Sequence, residues 1–191
     1  MKKSTKNIMI DLKSINKEWT LFLDRDGVIN HEGKDRYINT WDQFIFYEKV
    51  PEAFAVLSEK FKRIIIVTNQ RGVGRGITKE SDLQVIHENM QAEIVKQNGR
   101  IDKIYFCTDV EDDSPRRKPN PGMGLQAMKD FPEIDLSRSL IVGNRLTDMD
   151  FGRNLGIHTV YLTTTHPETD LNHPSIDAVF PTLHAFALSL P

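Results

Sequence analysis

Residues 63–68 read RIIIVT. Ile64–Val67 is a continuous run dominated by β-branched residues, the pattern of a strand covered on both faces. Working outward, Pro51–Phe61 reads as a helix with Pro51 in its first turn, and Trp19–Leu23 as a buried strand. Downstream, Leu83, Ile86, Met90 and Ile94 fall on one face of a helix predicted over Thr78–Asn98. Thr78 is its expected N-cap and Gly99 its expected stop. Further strands are read at Ile104–Cys107, Ser139–Val142, His158–Leu162 and Ala178–Phe180. Helices are read at Pro121–Lys129, from about Thr147 to Leu155, and after Pro181. Strands alternating with helices predict an α/β fold of three layers, a parallel sheet with helices on both faces. Ligands of such sheets bind beyond the carboxyl ends of the strands.

Composition bounds the function. The chain has 191 residues, 39% hydrophobic and 27% charged, with a formal net charge of −2. That suits one domain, predicted over 19–191 behind a polar lead-in of residues 1–18, and a monomer is expected. Lys2, Lys3 and Lys6 read as a solvated tail rather than a nucleic-acid arm. Near-neutral charge argues against nucleic-acid binding by bulk electrostatics. The aliphatic run Ile64–Val67 is far too short to span a membrane, and the N-terminus lacks the apolar stretch of a signal peptide. One cysteine makes no intrachain disulfide, so a reducing cytoplasm is the expected compartment.

The strand ends carry the chemistry. The first strand runs into LFLDRDGVIN, with Asp24 and Asp26 two apart and Gly27 freeing the turn. Carboxylates this close raise each other's pKa unless a cation lies between them. A solvated acidic turn is the plain alternative; the buried strand before it and the matching strand ends downstream argue for a site. VTNQRGVGRG follows, presenting Thr68 and Asn69 at the strand tip with Gln70, Arg71 and Arg75 beyond. It matches neither glycine-rich phosphate motif and would also serve as a surface turn. SPRRKPNPGM brings Arg116, Arg117 and Lys118 among three prolines that stiffen the run. IVGNRLTDMD places Asn144, Arg145 and Asp148 near a helix start, where Asp148 could simply complement the helix dipole. Clustered acids suggest a hard cation such as Mg²⁺. Clustered bases with a hydroxyl suggest a phosphoryl group. A metal, a carboxylate nucleophile and a lysine are the parts of phosphoryl transfer.

In this order, DRDGVIN, VTN, the lysine of RRKPNPG and GNRLTD resemble the four motifs of the haloacid-dehalogenase-like (HAD) phosphohydrolases, over about residues 19–165. TNQ, the Gly/Arg turn and RKPNPGM are similar to the heptose-bisphosphate and histidinol-phosphate phosphatases of that superfamily. The resemblance implies a Rossmann-like sheet and a Mg²⁺-dependent phosphomonoesterase for a small phosphorylated metabolite, a heptose bisphosphate before histidinol phosphate. It implies Asp24 as nucleophile, Asp26 as general acid and base, Thr68 and Lys118 in the catalytic set, and Asn69, Gln70, Arg71, Arg117 and Arg145 around the substrate. Metal ligation would fall to Asp24, Asp26, and Asn144 or Asp148. A catalytically silent binding or adaptor protein is the alternative from another class.

Spacing adds that 43 residues separate Asp24 from Thr68 and 49 separate Thr68 from Lys118. A helix and a strand occupy much of each gap, leaving too little chain for a folded cap. A capless, open site is predicted, with His31–Lys49 as its rim. Tyr37, Trp41 and Phe44 would shield the ligand, although Trp41 and Phe44 could equally pack beneath the sheet. His31 could reach the substrate. Two departures from the family pattern stand out. Asn144 replaces the usual metal-binding aspartate, so weaker metal affinity is expected. Cys107, Asp109, Ser114 and Arg116 occupy the positions of four zinc ligands, so no zinc is expected.

Overall fold

The computed structural model describes residues 10–33 and 37–191. Lys2, Lys3 and Lys6, and part of the expected rim, lie outside the described residues. Six parallel strands form one sheet: β1 (Thr20–Leu23), β2 (Arg63–Asn69), β3 (Lys103–Cys107), β4 (Ser139–Gly143), β5 (His158–Leu162) and β6 (Ala178–Phe180). Their spatial order is β3-β2-β1-β4-β5-β6. The helices are α1 (Val50–Lys60), α2 (Arg71–Gly74), α3 (Glu80–Lys96), α4 (Gly122–Asp130), α5 (Leu146–Leu155) and α6 (Leu183–Leu188).

Alternation along the strands builds two cores. Leu21, Leu23, Ile64, Ile66, Leu140 and Val142 face α1, α3 and α6. Phe22, Ile65, Val67 and Ile141 face α4 and α5. Covering both faces is why RIIIVT is apolar without interruption. Chain order reverses direction at β1, so β2 runs out on one side and β4 on the other. The carboxyl ends of β1, β2 and β4 therefore meet in one crevice. Among the described residues, a 3₁₀ turn at Trp41–Gln43 and α1 fill the gap between β1 and β2. The next gap holds α2, α3 and β3, and among the described residues neither gap carries a cap domain.

Several local expectations are corrected. The long helix begins at Glu80 with Lys79 as N-cap, and Thr78 Oγ1 instead donates to Asn39 Oδ1 at 2.6 Å. Asn98, not Gly99, takes the left-handed backbone beyond its end. Gly99 is small because a Cβ there would lie 2.6 Å from the Phe54 Cβ. The glycine-rich turn contains a helical turn, α2, which three glycines in nine residues did not suggest. Residues 10–18 are not merely polar lead-in, since Ile15 is buried in the core with Trp19. Phe44 is buried and stacks on Trp41 at 5.1 Å, so these two rings pack in the core. Tyr37 does line the crevice.

Candidate active site

The crevice has a volume of about 670 Å³. At its base a lysine lies between two acids. Lys118 Nζ is 2.9 Å from Asp24 Oδ1 and 2.7 Å from Asp148 Oδ1, and all three side chains are almost fully buried. Burial raises the Asp24 carboxyl to about 7; Lys118 pulls it down while Asp148 and Asp26 push it up. Burial works against the Lys118 charge as well, but Asp148 and Asp24 outweigh it and hold the ammonium charged.

Each member is held in place by its element. Asp24 continues β1, its N–H donating to Val142 O at 3.1 Å. Asp148 sits in the first turn of α5, and its Oδ2 accepts from the N–H groups of Asn144 (3.2 Å) and Arg145 (3.1 Å). With Oδ1 on Lys118, both oxygens of Asp148 are engaged. Its role as helix-start acid and its place in the triad thus coexist. Lys118 comes from the loop before α4. Asn69 fixes that loop: its Nδ2 donates to Lys118 O and its Oδ1 accepts from Lys118 N–H, both at 3.0 Å. Asn69 lines the crevice, but its amide is occupied by this clamp.

Asp26 has different surroundings. Arg25 Nη2 donates to both its oxygens at 3.0 Å, Asn30 Nδ2 donates at 2.9 Å, and Gln70 Nε2 donates at 2.9 Å. Burial alone would raise its pKa; Arg25, Asn30 and Gln70 outweigh it and hold the carboxyl below its ordinary value. Gln70 Nε2 also donates to Thr68 Oγ1 at 2.8 Å, so Gln70 ties the tips of β1 and β2 together. Sequence reasoning missed Arg25, which is fully buried. Its Nη1 meets His87 Nε2 at 3.1 Å. A guanidinium only donates, so His87 accepts there and carries its proton on Nδ1. Burial, with Arg25 adding, lowers His87 to about 3, which keeps it neutral. The available signal was a lone arginine between two strand-end acids, which must be paired if the strand end is buried.

The crevice wall is basic. Arg71 and Arg117 share Asp112, the latter at 3.6 Å, and Arg75 donates to Tyr37 Oη at 3.1 Å. Arg145 Nη2 reaches Glu32 at 2.8 and 3.0 Å. Glu32 is a second residue that sequence reasoning missed. The His31 ring lies tilted by 40° against Tyr47, with centroids 3.9 Å apart, and His31 is not among the crevice residues. In the loop where Cys107, Asp109, Ser114 and Arg116 stand in place of zinc ligands, Ser114 Oγ donates to Asp109, and Arg116 donates to Phe106 O at 3.2 Å. Cys107 is a buried free thiol, raised by that burial.

A metal is tested by the donors present. Among the described residues, no three His, Cys, Asp or Glu side chains form a metal-holding group. Asn144, however, is fully buried, and its Oδ1 has no hydrogen-bond partner. An orphaned buried carbonyl costs about 1–3 kcal/mol. That orphaned carbonyl suits one oxygen donor to a hard cation, although Asn144 is not among the residues lining the crevice.

A parallel sheet with this strand order and an acid–lysine–acid group at its switch point is the architecture of the HAD-like hydrolases. The HAD-hydrolase-like family profile matches residues 115–186. The D-glycero-D-manno-heptose-1,7-bisphosphate 7-phosphatase of Chlorobaculum tepidum is 32% identical, covering 79% of this chain and 81% of that one. The D-glycero-alpha-D-manno-heptose-1,7-bisphosphate 7-phosphatase of Campylobacter jejuni is 39% identical, covering 74% and 80%. The crystal structure of the D,D-heptose 1,7-bisphosphate phosphatase of B. bronchiseptica, complexed with magnesium and phosphate, superposes with a TM-score of 0.79. It is 26% identical, covering 90% of this chain and 97% of that one. The chain belongs to the HAD-like family that these phosphatases represent. No helix among the described residues is long and apolar enough to cross a membrane.

Proposed function

We propose that the chain is a Mg²⁺-dependent phosphomonoesterase working through an aspartyl-phosphate, with a heptose 1,7-bisphosphate as substrate. The observation that carries this reading is the buried Asp24–Lys118–Asp148 group opening into the crevice. An Asp24 oxygen attacks phosphorus as the ester P–O bond breaks. Lys118 offsets the negative charge gathering on Asp24 and the phosphoryl oxygens. For the acid step Asp26 must first take up a proton from solvent against the pull of Arg25, which it passes to the leaving oxygen; it then takes a proton from the water that cleaves the aspartyl-phosphate. In the geometry seen, Arg25 favours ionised Asp26, which suits the base step. Asp24, the Asp26 main-chain carbonyl and Asn144 Oδ1 would hold Mg²⁺, which when bound draws charge from the phosphoryl oxygens. Asp148 then acts on Lys118 and the β4–α5 turn rather than on the metal. Arg71, Arg117 and Arg145 receive the remaining anionic parts of the substrate.

Phosphate release from both anomers of heptose 1,7-bisphosphate, from histidinol phosphate and from an aryl phosphate tests the assignment. The expectation is Mg²⁺-dependent turnover, highest in kcat/KM for a heptose bisphosphate, and lowered at least about 10⁴-fold by Asp24→Asn. Undiminished turnover in Asp24→Asn overturns the mechanism. A silent binding protein is favoured by Asn144 alone, and absence of any turnover in the wild type would establish that reading instead.

A further inference from the structure

Asn144 stands where an acid is usual, and its surroundings decide which way its amide faces. Nδ2 donates to Glu32 Oε1 at 3.0 Å and to Thr165 Oγ1 at 2.7 Å. The amide oxygen is the buried, unpartnered atom. Turning the amide over would exchange the two atoms, a choice that only the hydrogen-bond partners settle. An ionised carboxylate accepts and never donates. With Glu32 in place, the reversed amide would set Oδ1 against a carboxylate oxygen at about 3 Å, without a proton between them. Glu32 is itself fixed by Arg145 at 2.8 and 3.0 Å. The Asn144 amide lies against Gly27, whose added Cβ would meet Nδ2, Cγ and Oδ1 at 2.0, 2.5 and 2.9 Å. Gly27 opens the turn directly after Asp26, so the oriented amide belongs to the nucleophile loop's side of the site.

We propose that Glu32 is a positioning residue that holds the Asn144 amide with its oxygen presented to Mg²⁺. This rests on the reading above that Asn144 Oδ1 is a metal ligand. The arrangement also explains why the pair is Glu32 with Asn144 rather than two acids. Asp at 144 would place two acceptor-only carboxylates about 3 Å apart with no donor between them, so residue 144 would lose the contact that fixes its orientation.

Calorimetric titration of the whole chain with Mg²⁺ tests this, independently of turnover. Glu32→Ala removes the acceptor and should weaken affinity about tenfold, whereas Glu32→Gln keeps an acceptor and should stay within about threefold of wild type. Asn144→Asp should bind Mg²⁺ about tenfold more tightly in a Glu32→Gln background than beside Glu32. Unchanged affinity in Glu32→Ala overturns the proposal. So does equal loss in Ala and Gln, which would make Glu32 itself the charge that holds the ion. If Glu32→Ala does not fold, the two Asn144→Asp backgrounds still decide, and equal affinities there overturn it. A wild type that binds no Mg²⁺ overturns both this and the metal reading; a wild type that binds it overturns only the former when the variants behave alike.

Discussion

Asp24 is asked to be buried and anionic at once, and its environment resists. Burial raises its carboxyl to about 7, with Lys118 only partly offsetting that. The metal-free folded state therefore retains a proton that the unfolded chain loses from about pH 4 upward. The sign follows: Asp24 makes the metal-free protein less stable as pH rises from about 4 to about 7, and bound Mg²⁺ restores stability by mass action. A ligand carboxylate must shed its proton, so Mg²⁺ affinity should rise from pH 6 to pH 8, with proton release on binding at pH 6. Titrations in buffers of different ionisation enthalpy measure that proton; affinity independent of pH would refute the coupling. Asn69 makes a second residue-scale case. Its clamp on the Lys118 main chain, rather than contact with substrate, predicts that Asn69→Ala lowers kcat more than it raises KM. Losing two part-buried hydrogen bonds at the loop amounts to about 1–3 kcal/mol of transition-state stabilisation, read from steady-state kinetics of the variant.

At the scale of elements, the joints between strand and loop hold the site. Gly27 has a φ of +85°, and a Cβ would fall 2.0 Å from Asn144 Nδ2. Gly27→Ala should cost about 1–2 kcal/mol through the backbone alone and should displace Asn144, so Mg²⁺ affinity falls together with melting temperature. The β5–β6 connection is pinned by Asp177, which accepts from Thr159 N–H at 2.9 Å and from both Arg153 Nη groups at 2.5 and 3.0 Å. Burial opposes its ionisation, but His158, Arg153 and Thr159 outweigh that and hold it down to about 2. Its contribution is present above pH 3.8 and lost as pH falls through about 2. Asp177→Asn should destabilise by roughly 1–3 kcal/mol at pH 7, with the melting difference narrowing toward pH 2. These joints also show what was legible in the sequence. Apolar runs announced β1, β2, β4 and β5 because both their faces are covered, while the edge strands β3 and β6 are only partly buried; His158–Leu162 and Ala178–Phe180 have the expected bounds. Strand-end positions of Asp24, Thr68 and Asn144 followed from that. Arg25, Glu32 and His87 did not, because their importance lies in contacts with residues that only the fold brings near. Thr78 and Gly99 misled for the same reason: each obeys a tertiary contact, with Asn39 and with Phe54, rather than a helix-end rule.

Over the whole molecule, a net charge of −2 conceals an acidic base and a basic wall within one crevice. The two have different exposure. The Asp24–Lys118–Asp148 group is almost fully buried, whereas Arg71, Arg117 and Arg145 keep 20%, 15% and 36% of their side-chain surface. Mobile ions screen charges that meet solvent and scarcely reach buried ones, over a Debye length of about 10 Å at 0.1 M salt. Two neutral-salt concentrations at fixed free Mg²⁺ therefore separate the two parts. Raising salt from about 0.05 to 0.5 M should increase KM several-fold for a substrate with two phosphates. The increase should be smaller for a singly phosphorylated aryl ester, which leaves most of the arginine wall unused. The turnover number should stay within about twofold for both, because the charge offset at Asp24 comes from Lys118 out of reach of solvent ions. Arg71→Ala and Arg117→Ala should each flatten the salt dependence of KM for the doubly charged substrate while leaving that of the aryl ester almost unaltered. A salt effect falling mainly on turnover would place the screened charges at the reacting phosphorus and would refute this division of the crevice.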